Sequence, residues 1–186
     1  MNTATVTSGR DPGGPIDAAD SVRGSRYGAA VSDDPTQPDL DVATAMAASA
    51  SQIWAAWTDP TAISRWWGPD GFTSTVRELD VSDGGRFDVA MRGPDGTEFS
   101  NVYEFEQVEP ARRIVYVHQG SPEHGLAPSR SVMEIDELEG DAPRTRVTLR
   151  AYYASETDRR RHLDDFQAEA GAQQLLARLE RVALDG

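Results

Sequence analysis

His118 is the interior candidate for proton transfer in this chain. Placed on a strand, it shares its face with Tyr116 and Ile114. An imidazole near its ordinary pKa of about 6.5 can take or give a proton. A strand-end histidine hydrogen-bonded at the mouth of the following loop would have the same spacing. Tyr103 and Tyr116 are the candidates to join it, because their O–H groups could donate to a ligand carbonyl, as a cyclase, aromatase or dehydratase needs. Buried tyrosines bonded to backbone fit the pattern too. Asn101 and Arg92 could read the polar end of a ligand, or stand at the surface near strand ends. His124, in a Gly/Pro loop, and His162, among helix arginines, read as solvated. Three dispersed histidines with no spaced His or carboxylate partner argue against a metal site, and no cofactor is expected.

Composition removes other chemistries. There is no cysteine, so disulfides, thiolate metal sites and a cysteine nucleophile are excluded. All 18 cationic Lys/Arg positions are Arg, so no lysine is present to form an imine. No Gly-rich loop leads from a strand into a helix to cradle phosphate, and no serine sits in a nucleophile elbow. The net charge is −13. Residues 1–38 carry three Arg against five Asp, so most of that charge falls on the remainder. Such a body disfavours nucleic acid and anionic membranes as partners. Arg159, Arg160 and Arg161 read as a solvated helix face. No apolar run suits a secretory signal or a membrane span, and a cytoplasmic protein is expected.

These side chains need a scaffold, and the tryptophans show where it closes. All four (Trp54, Trp57, Trp66, Trp67) lie within fourteen residues around Asp59-Pro60. Trp54 and Trp57 share one helical face. Asp59-Pro60 stops that helix and can start another, which ends near Gly68-Pro69. Two short helices with so much aromatic area must close over something large and apolar, which suggests a lid.

Residues 1–38 hold five Gly, four Pro and one aromatic, with no apolar period, and read as a disordered tail before one domain over 39–186. A first strand is expected over 40–46. From Phe72 onward the apolar period is two, interrupted by turn sequences such as Asp83-Gly84-Gly85 and Pro94-Asp95-Gly96. Six consecutive strands predict an antiparallel meander. A capping-box-like Ser155…Asp158 opens a long C-terminal helix whose last turns are apolar, and Gly171 could kink it. The sum is an α+β chain: about seven antiparallel strands in a sheet curled around one helix, with the short helices plugging an end.

Alternation then nominates an inner face: Phe87, Val89 and Met91; Tyr103 and Phe105; Tyr116 and His118; Met133 and Ile135. The helix would add Leu163, Phe166 and Ala170. Aromatics, methionines and a few polar tips are what ligand pockets use, and a solid core uses the same types.

The blocks Trp54-Ala55-Ala56-Trp57-Thr58-Asp59-Pro60, Trp66-Trp67-Gly68-Pro69, Gly71-Phe72-Thr73, Gly84-Gly85-Arg86-Phe87 and Met91-Arg92-Gly93-Pro94-Asp95-Gly96, with the pattern over 171–179, occur in this order. The chain in this way resembles the SRPBCC or START-like helix-grip superfamily, birch-pollen-allergen-like in fold. Within it, the chain looks most like the family named after the activator of the ninety-kilodalton heat-shock chaperone ATPase (AHSA-like). It departs from the family pattern at Met46-Ala47-Ala48-Ser49, where an aromatic, an acid and a Pro usually lead into the first helix. The resemblance implies a cavity between sheet and helix for a hydrophobic or aromatic molecule, under Trp66 and Trp67. Alternatives are a polyketide cyclase-like enzyme in the same cavity, or an interaction module with a protein partner or a homodimer.

Overall fold

The computed structural model describes residues 37–186. The expected disorder of residues 1–38 therefore lies outside the described residues, save at Gln37 and Pro38. Strand β1 (Leu40–Met46) leads into helices α1 (Ala50–Thr58) and α2 (Pro60–Trp66). Strands β2 (Thr73–Leu79), β3 (Arg86–Arg92), β4 (Glu98–Glu109), β5 (Arg113–His118), β6 (Ser129–Glu137) and β7 (Thr145–Tyr153) follow. All neighbours are antiparallel, in the order β1-β7-β6-β5-β4-β3-β2. The meander over β2–β7 is thus closed at its far edge by the first strand, as the α+β expectation required.

Local chemistry explains the helix boundaries. Ser49 caps α1 with a full capping box: its hydroxyl accepts from Gln52 N, and the Gln52 side chain accepts from Ser49 N. The unusual 46–49 entry therefore still starts a helix. Asp59 ends α1 and begins α2, its carboxylate accepting from Thr61 and Ala62 N at 2.7 and 2.9 Å. Pro60 stands at the first helical position, where its missing N–H costs nothing. Arg178 then ties the end of α2 to the C-terminal helix, donating to the carbonyls of Arg65, Gly68 and Pro69.

The C-terminal segment is not one long helix. Ser155 does cap a start, accepting from Asp158 N, but α3 (Glu156–Arg160) passes at once into a π-helical turn, Arg161–Asp165. Gln167 adopts a left-handed conformation (φ 49°), and a separate helix α4 spans Ala168–Asp185. The break falls at Phe166–Gln167, not at Gly171, which sits inside α4. Its consequence is rotational. Phe166 is 44% exposed and Ala170 is exposed, so neither faces the interior as a continuous helix would have had them do. Beyond the break Ala172, Leu176, Leu179, Val182 and Ala183 are buried at helical spacing.

Candidate functional site

Register sets the inner face. Cross-strand partners form one row, Phe87–Tyr103–His118–Ser129–Tyr153, running from β3 to β7. The next row reads Phe105–Tyr116–Ser131–Ala151–Leu40. Tyr103 and Phe105 share this face by alternation, and a bulge between Phe105 and Gln107 then shifts the register so that Val108 pairs Ile114 further along β4.

One half of this face is sealed. Trp57 and Trp66 are wholly buried and Trp67 nearly so. Trp57 meets Trp66, Trp67, Tyr116 and Phe105 with ring centroids 5.1, 5.3, 5.8 and 6.5 Å away. Trp67 reaches Phe87 and Tyr103 at 5.0 and 5.2 Å, both edge-on. The indole N–H groups find partners inside: Trp57 on Met133 Sδ, Trp66 on the Ala56 carbonyl at 2.9 Å, Trp67 on the Tyr103 oxygen. Phe87, Val89, Phe105, Met133 and Ile135 complete the layer. The expectation of indoles standing over a mouth is corrected here: these rings lie within the core, because α1 and α2 press their apolar faces onto the sheet and α4.

The other half keeps contact with solvent. On β6, a central strand, Met133 and Ile135 are buried while Ser131 and Ser129, on the same face, are only half-buried. Met91, Tyr103, His162 and Leu163 share this partial access. Two serines and Ala151 make a floor of small side chains between Tyr116 and His118 on one side and Tyr153 on the other. Above it stands the π-helical turn, whose His162 ring stacks on Tyr153 at 4.3 Å. At the rim, Phe99 touches Phe72 (5.9 Å) and His124 (4.4 Å). Arg161 donates to the His124 carbonyl at 2.9 Å, joining the turn to the loop 120–128.

Several sequence expectations change accordingly. His124 and His162 are packed on aromatic rings rather than solvated. The arginine run keeps its expected solvated face, with Arg160 and Arg161 exposed while they pair with Glu156 and the loop, and Arg159 reaching Asp39 and Glu156. Asn101 is buried, whereas Arg92 is exposed and donates to the Gly96 carbonyl. Ser129 and Ser131 were missed, although parity from Met133 points straight to them.

His118 and Asn101 form the polar centre. Asn101 Nδ2 donates to the Phe99 carbonyl at 3.0 Å, so its Oδ1 faces His118 Nε2 at 3.1 Å. An amide oxygen only accepts, hence Nε2 carries the proton and Nδ1 keeps the lone pair. Burial first, then the nearby His162, lowers the His118 pKa to about 4, against a small upward pull from Glu123. Burial raises Tyr103 and Tyr153 to about 12 and pushes Tyr116 up as well, while Ser131 bonds to its hydroxyl. Burial also lowers His162. Near neutrality the whole set is uncharged. It can offer and accept hydrogen bonds in an apolar surround, but it holds no acid–base pair poised near pH 7. Among the described residues no group of three or more His, Cys, Asp or Glu is placed to hold a metal ion, and no helix is long and apolar enough to cross a membrane.

A short-helix plug, a curved seven-stranded sheet and a gripped C-terminal helix define the helix-grip class. Within it, the family described as "Activator of Hsp90 ATPase homolog 1-like protein" matches residues 47–183, and the chain belongs to that family. Solved structures are similar over most of their length. A protein from Arthrobacter aurescens is 24% identical, with TM-score 0.69 over 78% of this chain and 86% of that one. Protein Ms6760 from Mycobacterium smegmatis is 26% identical, with TM-score 0.66 over 82% and 96%. An AHSA1-like protein from Aeromonas hydrophila is 22% identical, with TM-score 0.56 over 78% and 93%. No curated protein matches the chain.

Proposed function

We propose that this protein binds a small hydrophobic or aromatic molecule on the open half of its inner face, without catalysing its conversion. The supporting observation is the small-residue floor of Ser129, Ser131 and Ala151, whose two serines are only half-buried on a central strand, beside the π-helical turn. A central strand in a finished core has little reason to carry half-buried serines beside tyrosines. Cyclase-like turnover by His118 with Tyr103 or Tyr116 would need a base or acid that titrates near neutrality. An imidazole lowered to about 4 and two phenols that burial pushes well up are poorly matched to that task. An interaction-module role has only the family's description behind it. The ligand would lie on apolar and aromatic walls, and its burial would supply the affinity.

Trp67, edge-on to Tyr103, reports on this region. Titration with polyketide-like aromatics and with lipids is expected to give a saturable change in tryptophan emission for at least one class. A flat response across the whole panel sinks the proposal.

A further inference from the structure

The polar groups of the open half are incompletely satisfied, and the pattern of what is missing narrows the ligand. His162 Nε2 is buried with no hydrogen-bond partner among the described residues. Leaving such an atom unpaired in a native interior is costly and calls for a physical reason. His118 spends its Nε2–H on Asn101, so its remaining nitrogen, Nδ1, is an acceptor, with no protein donor on it among the described residues. The two rings stand on opposite sides of the same floor. His118 rises from β5, one strand from Ser129 and two from Tyr153, which places its backbone about 10 Å from that of Tyr153. His162 comes down from the π-helical turn onto the Tyr153 ring, whose residue pairs Ser129, the cross-strand partner of His118.

The backbone here is irregular in a way that serves this placement. A π-helical turn and a left-handed non-glycine residue, Gln167, follow each other. Such features cost energy and gather at functional sites. Within this stretch the His162 ring lies on Tyr153 and the Phe166 side chain is exposed.

We infer that the open half is built for a ligand that carries a hydroxyl group on an aromatic or apolar body, seated between His118 and His162. A hydroxyl is at once a donor and an acceptor, so one group can give its proton to His118 Nδ1 and accept from His162 Nε2 in the tautomer that carries its proton there. An ether or a ketone cannot donate to Nδ1. A carboxylate cannot donate either, and would enter a site without a cation on its floor. The inference rests on the binding role proposed above and adds the chemistry that selects among apolar guests.

The test uses the full chain and three sets of probes: phenol, 2-naphthol and 2-phenanthrol, each beside its methyl ether and the matching carboxylate. Affinities are read by calorimetry at neutral pH, and imidazole nitrogens by ¹⁵N NMR. At least one hydroxyl compound is expected to bind roughly tenfold or more tightly than its methyl ether, as the loss of a buried hydrogen bond implies. It should shift the His118 Nδ1 resonance, which the ether leaves in place. The preference should disappear in His162→Phe, which keeps the stack on Tyr153, and in His118→Phe. Should one variant fail to fold, the other together with the wild-type ¹⁵N shift decides the matter. Equal binding of alcohol and ether, or tightest binding of the carboxylate, overturns the hydroxyl inference and leaves the binding role standing. No binding by any probe in any set overturns both.

Discussion

The two halves of the inner face share one sheet and differ in how their polar atoms are treated. Around Trp57, every indole N–H has an interior partner and rings meet at 5–6.5 Å, mostly edge-on. Around His118, small side chains replace large ones, His162 Nε2 lacks a partner, and solvent reaches Ser131 and Ser129. The first arrangement is what stability alone demands. The second leaves hydrogen bonds unmade and surface uncovered, which stability alone would remove. Within one fold, the contrast separates residues that hold the sheet to its helices from residues whose polar atoms and surface are left uncovered.

The contrast breaks if the sealed half proves dispensable. Trp57→Ala removes the ring at the hub of the aromatic cluster and is expected to cost about 3–5 kcal/mol. Denaturant unfolding checks this, and a loss under about 1 kcal/mol would mean that the cluster is not the main core.

Acid should expose the second half. His118 has a folded-state pKa of about 4, below its unfolded value of about 6.5. The unfolded chain therefore binds the extra proton first, and stability is expected to fall as pH drops from about 6.5 to about 4. The expected loss is on the order of 3 kcal/mol in total, with His162 acting in the same direction. Stability curves for wild type and His118→Phe should converge in slope above pH 7 and diverge below 6.5. Parallel curves throughout would remove His118 from the account.

Ser131→Leu sharpens the comparison from the other side. It fills the floor without opening a core cavity but takes the Ser131 partner from the Tyr116 hydroxyl, so unfolding stability should fall by about 1–3 kcal/mol, while any bound aromatic probe loses affinity by about tenfold or more. Unchanged affinity would place the guest elsewhere.

Much of the sealed half was legible in the chain. Period-two alternation picked out Phe87 and Val89, Tyr103 and Phe105, and Met133 and Ile135, because side chains on a strand alternate faces whatever they pack against. The break at Asp59-Pro60 was legible for a similarly local reason, since one carboxylate and one fixed φ act within three residues. The open half was far less so. Phe166 and Ala170 were expected to face inward because a continuous helix carries its phase forward, and a π-helical turn followed by a left-handed residue resets that phase. His124 and His162 were expected in solvent because one lies in a Gly/Pro loop and the other follows three arginines. Their partners, Phe99 and Tyr153, come from other strands.

The chain by itself determined the element order, the inner-facing parity of the strands and the closing pair of short helices, since these follow from local sterics and the period of apolar residues. Only the folded structure decided that the indoles fill the core instead of roofing an opening, that Asn101 fixes the proton on His118, and that His162 stacks on Tyr153 beside the serines. Those facts depend on which distant residues meet, and a helix phase or a strand register cannot be set by neighbours in sequence alone.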